Sequence, residues 1–196
     1  AGIKERTLKI AQLIEPRPVS VEVTSDKIPE VIAQAKEYVA WAKNIAVKVT
    51  ITDREGSSLL PAIYQLVANG VRVNVTAMMT FNQAILAAKC VEAAGGSKER
   101  PNFISLFAGR ISDEYGIDHA VRVLSQTREW LALHDYSSEI IVGSIRRPEN
   151  VSSYASTGAH ILTIPPDVLS QCLLAARTKE TVVQFLNDAK KALEVL

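Results

Sequence analysis

The sequence predicts an α/β protein of the (β/α)8 barrel class. Short runs rich in Val and Ile alternate with amphipathic segments of helical length, a rhythm that calls for a parallel sheet. The clearer runs are apolar on one face and polar on the other, whereas an open sheet covered by helices on both faces would be apolar throughout. No GxGxxG or GxxxxGK(S/T) motif follows any run, which counts against a nucleotide-binding sheet.

The elements follow in order. A helix over about 4–14 leads into a strand at Val19–Thr24, where every odd position is valine and every even one is polar. Further strands are expected at Ile45–Ile51, Val71–Thr76, Phe103–Phe107, Ile140–Ser144 and His160–Ile164. Between them lie helical patterns at about 27–42, 56–69, 80–93, 116–133 and 148–157, and two more follow at about 166–175 and 179–194. Gly70, Gly95-Gly96 and Gly158 stand where helices should stop. Val47 and Val49 oppose Lys48 and Thr50, and Val71, Val73 and Val75 oppose Arg72, Asn74 and Thr76. Closing such strands into a barrel puts the valines against outer helices and turns Glu22, Lys48, Asn74, Thr76, Ser105 and Ser144 inward. Six strands are found where a barrel needs eight, and the first segment already reads as the helix before Val19. The expectation is one barrel domain over 1–196, incomplete at its N-terminus and lacking its first two strands.

Composition bounds the rest. At 196 residues, 47% hydrophobic and 22% charged, the chain can bury one good core, and no second domain is expected. A formal net charge of +1 gives no electrostatic reason to propose nucleic acid or an anionic membrane as partner. No apolar run reaches membrane-spanning length, and the opening AGIKERTLKI has no apolar signal core. Cys90 and Cys172 are isolated, as expected for reduced thiols in a cytoplasmic protein, and His119, His134 and His160 are too scattered for a zinc motif.

Lys48 is the anomaly. It interrupts Ala46, Val47, Val49 and Ile51, and an ammonium there needs a partner to replace its hydration. Either it lies on an edge strand and faces water, or it is an amine desolvated to act as a nucleophile on a carbonyl. Polar inward positions recurring on neighbouring strands favour the second reading. Arg110 and Arg146 each follow a strand's carboxyl end. Ser144, with the amides opening the next helix, completes a candidate phosphate cradle. Arg147 alternates away from it.

The stretch Ile45-Ala46-Val47-Lys48-Val49-Thr50 resembles the Schiff-base strand of the transaldolase and fructose-6-phosphate aldolase family. NVTAMMTFNQAILAAK, SLFAGRISD, IVGSIRRPENV and ILTIPPDVL resemble successive motifs of the same family, in the same order, from about Pro18 to the C-terminus. The resemblance implies a class I aldolase barrel in which Lys48 forms an imine with a ketose phosphate, a carbon–carbon bond breaks, and the retained enamine attacks a second aldehyde. It makes Lys48, Glu22 and Thr76 catalytic, with Glu22 orienting a water and Asn74 and Thr76 holding substrate or water. Ser105 and Phe107 would line the pocket, and Arg110, Ser144 and Arg146 would bind phosphate. It implies no cofactor and no metal. It also implies a cytoplasmic homo-oligomer of the pentose phosphate pathway. Its substrates would be fructose 6-phosphate, erythrose 4-phosphate, sedoheptulose 7-phosphate and glyceraldehyde 3-phosphate.

Two positions separate the family's branches. The aldolase branch carries Gln and Tyr where this chain has Glu22 and Phe107, so the chain resembles the transferase branch. A Tyr hydroxyl could help a water reach the enamine, and Phe cannot. The family's first-strand acid/base aspartate and its TTNP asparagine have no counterpart in this sequence, and Asp53 and Asp113 are expected in loops. The alternatives are a fructose-6-phosphate aldolase and a non-catalytic barrel remnant that binds sugar phosphate.

Overall fold

The computed structural model describes residues 2–194. Six parallel strands form one sheet in sequence order: β1 (Val19–Glu22), β2 (Ile45–Thr50), β3 (Val73–Met78), β4 (Phe103–Leu106), β5 (Glu139–Val142) and β6 (Ile161–Leu162). Helix α1 (Ile3–Ile14) precedes β1. The crossovers are α2 (Ile28–Val39), α3 (Leu60–Ala68), α4 (Phe81–Ala93), α5 (Ala108–Tyr115) with α6 (Ile117–Leu133), and α7 (Pro148–Ala155). Helices α8 (Pro166–Gln171) and α9 (Ala176–Glu194) follow β6.

The strand alternation decides which face does what. Val21, Val47, Val49, Val73, Val75, Ile104, Leu106, Ile140 and Val142 are buried in the main core with helix residues such as Val31, Ile63, Ala84 and Leu124. Burying each such side chain contributes roughly 1.5–3 kcal/mol, which is why the valine face must be covered. The opposite face is concave, and its floor is a separate small cluster of Ala46, Phe103 and Ile141, with Ile161 packed on it. Arg72 closes the Phe103 side, its guanidinium carbon 4.5 Å from the ring centroid and its Nε donating to the Pro101 carbonyl at 2.7 Å. Among the described residues the sheet is therefore a six-stranded, curled half-barrel, with the six strands expected and not a closed barrel of eight.

The differences from the expected elements are local. Helix α3 starts at Leu60 because residues 53–58 make a turn, in which Asp53 Oδ1 accepts from the Glu55 and Ser57 amides. The third strand runs from Val73 to Met78, later than expected, with a register shift between Val75 and Met78 and Ala77 at φ 62°. Helix α5 is absent from the sequence reading. Phe107 stands at its N-cap and Gly116 ends it, so Asp113 lies in a helix and not in a loop. Helix α4 begins with a capping box: the Thr80 hydroxyl accepts from the Gln83 amide, and the Gln83 side chain accepts from the Thr80 amide. Among the described residues, no helix is long and apolar enough to cross a membrane.

Candidate functional site

Lys48 lies on β2, and β2 lies between β1 and β3, so the edge-strand reading fails. Its register partners are Glu22 on β1 and Asn74 on β3. Alternation turns all three onto the concave face. Lys48 Nζ donates to Glu22 Oε2 at 3.1 Å, with the two side chains 26% and 54% exposed. The Lys48 side chain is thus half-buried, and its amine carries a carboxylate partner and lies 5.6 Å from the centroid of the Phe107 ring.

Beside it the polar groups are buried. Asn74 is 3% exposed and Ser105 is 2% exposed. Ser105 Oγ donates to Asn74 Oδ1 at 2.7 Å, and Asn74 Nδ2 donates to Ser20 Oγ at 3.0 Å. These residues, with Lys48, Glu22 and Phe107, line a cavity of about 340 Å3 on the concave face. Thr163 and Ser144 close its far wall. Thr76, two residues beyond Asn74 on the same face, is 1% exposed, and its Oγ1 is buried without a hydrogen-bond partner among the described residues. It is not one of the cavity's lining residues.

Two glycines make the far wall possible. A β-carbon at Gly143 would lie 2.9 Å from the Phe107 ring, so the missing side chain lets the ring lie against β5. A β-carbon at Gly109 would lie 1.6 Å from the Ser144 carbonyl oxygen, so α5 can seat against the loop after β5 only with glycine there. Ser144 itself has φ 62°. Strict alternation would send it outward with Ile140 and Val142; the left-handed backbone turns it into the cavity instead. Sequence reasoning put Ser144 in the right place for the wrong reason. The Tyr154 phenol on α7 donates to the Ala108 carbonyl at 3.2 Å and fixes the start of α5, and burial pushes its pKa up.

The basic residues sit on the rim, outside the cavity wall. Arg110, in the first turn of α5, is exposed with its guanidinium carbon 5.2 Å from the Phe107 centroid. Arg146 is exposed and donates to Asp113 Oδ2 at 2.6 Å. Arg147 is exposed and is not a lining residue of the cavity; its Nη2 is 4.0 Å from Asp113 Oδ1, the carboxylate that also pairs with Arg146, and residues 143–147 are loop, where strand alternation has ended. The expected cradle of helix amides is also weaker than anticipated. Helix α7 opens with Pro148, which has no N–H, and carries Glu149 in its first turn.

Four lining residues were not among the expected ones: Ser20, Ile141, Gly143 and Thr163. Ser20 was findable, since it shares the polar parity of Glu22. Thr163 shares the parity of Ile161 but lies just past a two-residue strand. Gly143 offered no signal, because its contribution is the side chain it lacks. At the other end of the sheet, a cavity of about 370 Å3 is lined by Arg128, Glu139 and His160 among others. There His160 Nδ1 accepts from the Ile140 amide at 2.9 Å, and burial, then the Arg128 charge, holds its pKa down. None of the residues expected in the site is there.

Comparison with known proteins decides the lineage. Residues 4–196 match the family described as Transaldolase/Fructose-6-phosphate aldolase. The chain belongs to this family. A probable transaldolase of Lactiplantibacillus plantarum is 36% identical over 186 residues, covering 95% of this chain and 79% of that protein. A probable transaldolase of Symbiobacterium thermophilum is 38% identical over 175 residues, covering 89% of this chain and 74% of the relative. One of Clostridium perfringens is 34% identical over 190 residues, covering 97% of this chain and 81% of its own.

Proposed function

We propose that this member of the transaldolase/fructose-6-phosphate aldolase family is a transaldolase acting through a Schiff base on Lys48. The observation that carries the reading is the pairing of Lys48 with Glu22 on an interior strand, inside a cavity that Asn74, Ser105 and Phe107 also line. The amine adds to the carbonyl carbon of a ketose phosphate and water leaves, giving an iminium ion. That ion accepts the electron pair of the bond between the α and β carbons as the β-hydroxyl gives its proton to a water, becomes the aldehyde, and departs as an aldose phosphate. The resulting enamine attacks the aldehyde of a second aldose phosphate, and hydrolysis of the new imine frees Lys48.

In this reading Glu22 orients the water that hydrolyses the imine, and Asn74 and Thr76 hold substrate oxygens or a water. The unpartnered Thr76 hydroxyl supports that assignment, because a buried hydroxyl without a partner costs about 1–3 kcal/mol. Ser105 and Phe107 shape the pocket. Ser144, Arg110 and Arg146 hold the phosphate at the rim, where Arg146 would exchange or share Asp113 for the phosphate oxygens. The substrates proposed are fructose 6-phosphate and sedoheptulose 7-phosphate as donors, with erythrose 4-phosphate and glyceraldehyde 3-phosphate as acceptors. The setting proposed is the cytoplasmic pentose phosphate pathway. A single domain over 1–196, belonging to an eight-stranded barrel, and a homo-oligomeric state are part of the same reading. The exposed Val182, Val183, Phe185 and Leu186 on α9 support self-association.

Phe107 gives the enamine no hydroxyl with which to position a protonating water, which favours transfer over cleavage. The test is release of dihydroxyacetone from fructose 6-phosphate with and without erythrose 4-phosphate. Transfer to the acceptor should dominate, with little dihydroxyacetone released in its absence. Release as fast without acceptor as the transfer itself would make the protein a fructose-6-phosphate aldolase.

A further inference from the structure

Ser20 ends a hydrogen-bonded chain that skips a strand. Ser105 on β4 donates to Asn74 on β3, and Asn74 Nδ2 donates to Ser20 Oγ on β1 at 3.0 Å, with β2 lying between β1 and β3. Two strand spacings amount to about 9.5 Å in a flat sheet, so the contact requires the concave curl. It also requires a small residue beneath the bridging amide. Ala46, the register partner of Ser20, is that residue.

The chain has a direction. Ser105 is buried, and its single proton goes to Asn74 Oδ1, so the amide nitrogen is the end that faces Ser20. Ser20 Oγ accepts that bond and keeps its own proton. Its hydroxyl lines the same cavity as Lys48 and Glu22, so the retained proton is offered to whatever the cavity holds.

We infer that Ser20 is a positioning residue of this site: it locks the Asn74 amide in one orientation across β2 and thereby sets the donor geometry met by a hydroxyketone bound at Lys48. The inference rests on the Schiff-base reading given above. A purely structural role for Ser20 would show in stability and leave ligand affinity alone.

The test is borohydride trapping with fructose 6-phosphate as the probe, read as the half-saturating concentration and as the labelled residue. It uses the whole protein as wild type, Ser20→Ala, Ser20→Cys and Ser20→Thr. The Ala and Cys variants should raise the half-saturating concentration about three- to tenfold, the range of one neutral hydrogen bond, with label still on Lys48. Thr, which keeps the hydroxyl, should stay within about twofold of wild type. The Cys variant keeps the size of serine, so the result does not depend on the Ala variant folding. An unchanged half-saturating concentration in Ala or Cys, with wild type labelled, overturns the inference and leaves the Schiff base standing. A failure of Thr to restore the wild-type value overturns it as well. Wild type that takes no label removes both.

Discussion

On the floor of the concave face, Asn74 and Ser105 are buried, and their side chains satisfy each other and Ser20 at 2.7 and 3.0 Å. On the rim, Arg110, Arg146 and Arg147 are exposed, and two of them converge on the single carboxylate of Asp113. The floor is preformed: its geometry follows from strand register, and changing it means breaking buried hydrogen bonds. The rim is held by solvent-exposed ion pairs, each worth about 0–1 kcal/mol, and can rearrange around an incoming anion at little cost. A ligand with a carbonyl at one end and a phosphate at the other would meet a rigid half and an adjustable half.

That contrast can be tested by mutation. The largest effect expected is on ligand recognition at the rim. Arg146→Ala should raise KM for fructose 6-phosphate about ten- to a hundredfold, the loss of a charge-assisted contact, while KM for unphosphorylated fructose changes little. Its melting temperature should barely move, since surface substitutions of this kind stay within about 0.5 kcal/mol. Equal losses for both sugars would make Arg146 structural and erase the distinction between the halves.

An effect of the opposite kind, on stability and not on recognition, is expected on the floor. Ser105→Ala leaves Asn74 Oδ1 buried without its donor and should cost about 1–3 kcal/mol of stability, measured by urea or thermal unfolding. A Ser105→Ala protein as stable as wild type would mean that water replaces the hydroxyl and that the floor is no more rigid than the rim.

The same division explains what could be read from the sequence. Period-two alternation holds wherever the backbone is strand, so Glu22, Lys48, Asn74, Thr76 and Ser105 were all placed on the right face from residue type alone. The rule gives out where the strands end. Ser144 faces the cavity through φ 62°, Arg147 lies near the carboxylate that pairs with Arg146, and Asp113 belongs to a helix the sequence did not reveal. Helix α5 was hidden because it is short and flanked by Phe107 and Gly116, in a stretch that reads as a loop leading to α6. The tight contact of Gly109 with Ser144 depends on a long-range approach that no local pattern encodes. The family motifs pointed to the chemistry, and the backbone geometry of the rim had to be seen.

Whether Lys48 is the nucleophile is decided by borohydride reduction in the presence of fructose 6-phosphate. The labelled protein is digested and the modified residue located by mass spectrometry. Lys48→Met serves as the control, because Met is similar in length and suits the apolar wall that Phe107 gives the cavity. A borohydride-dependent adduct should form on Lys48 in wild type and not in the variant. No adduct in wild type, an adduct that persists in Lys48→Met, or one that maps to Lys43 would contradict it.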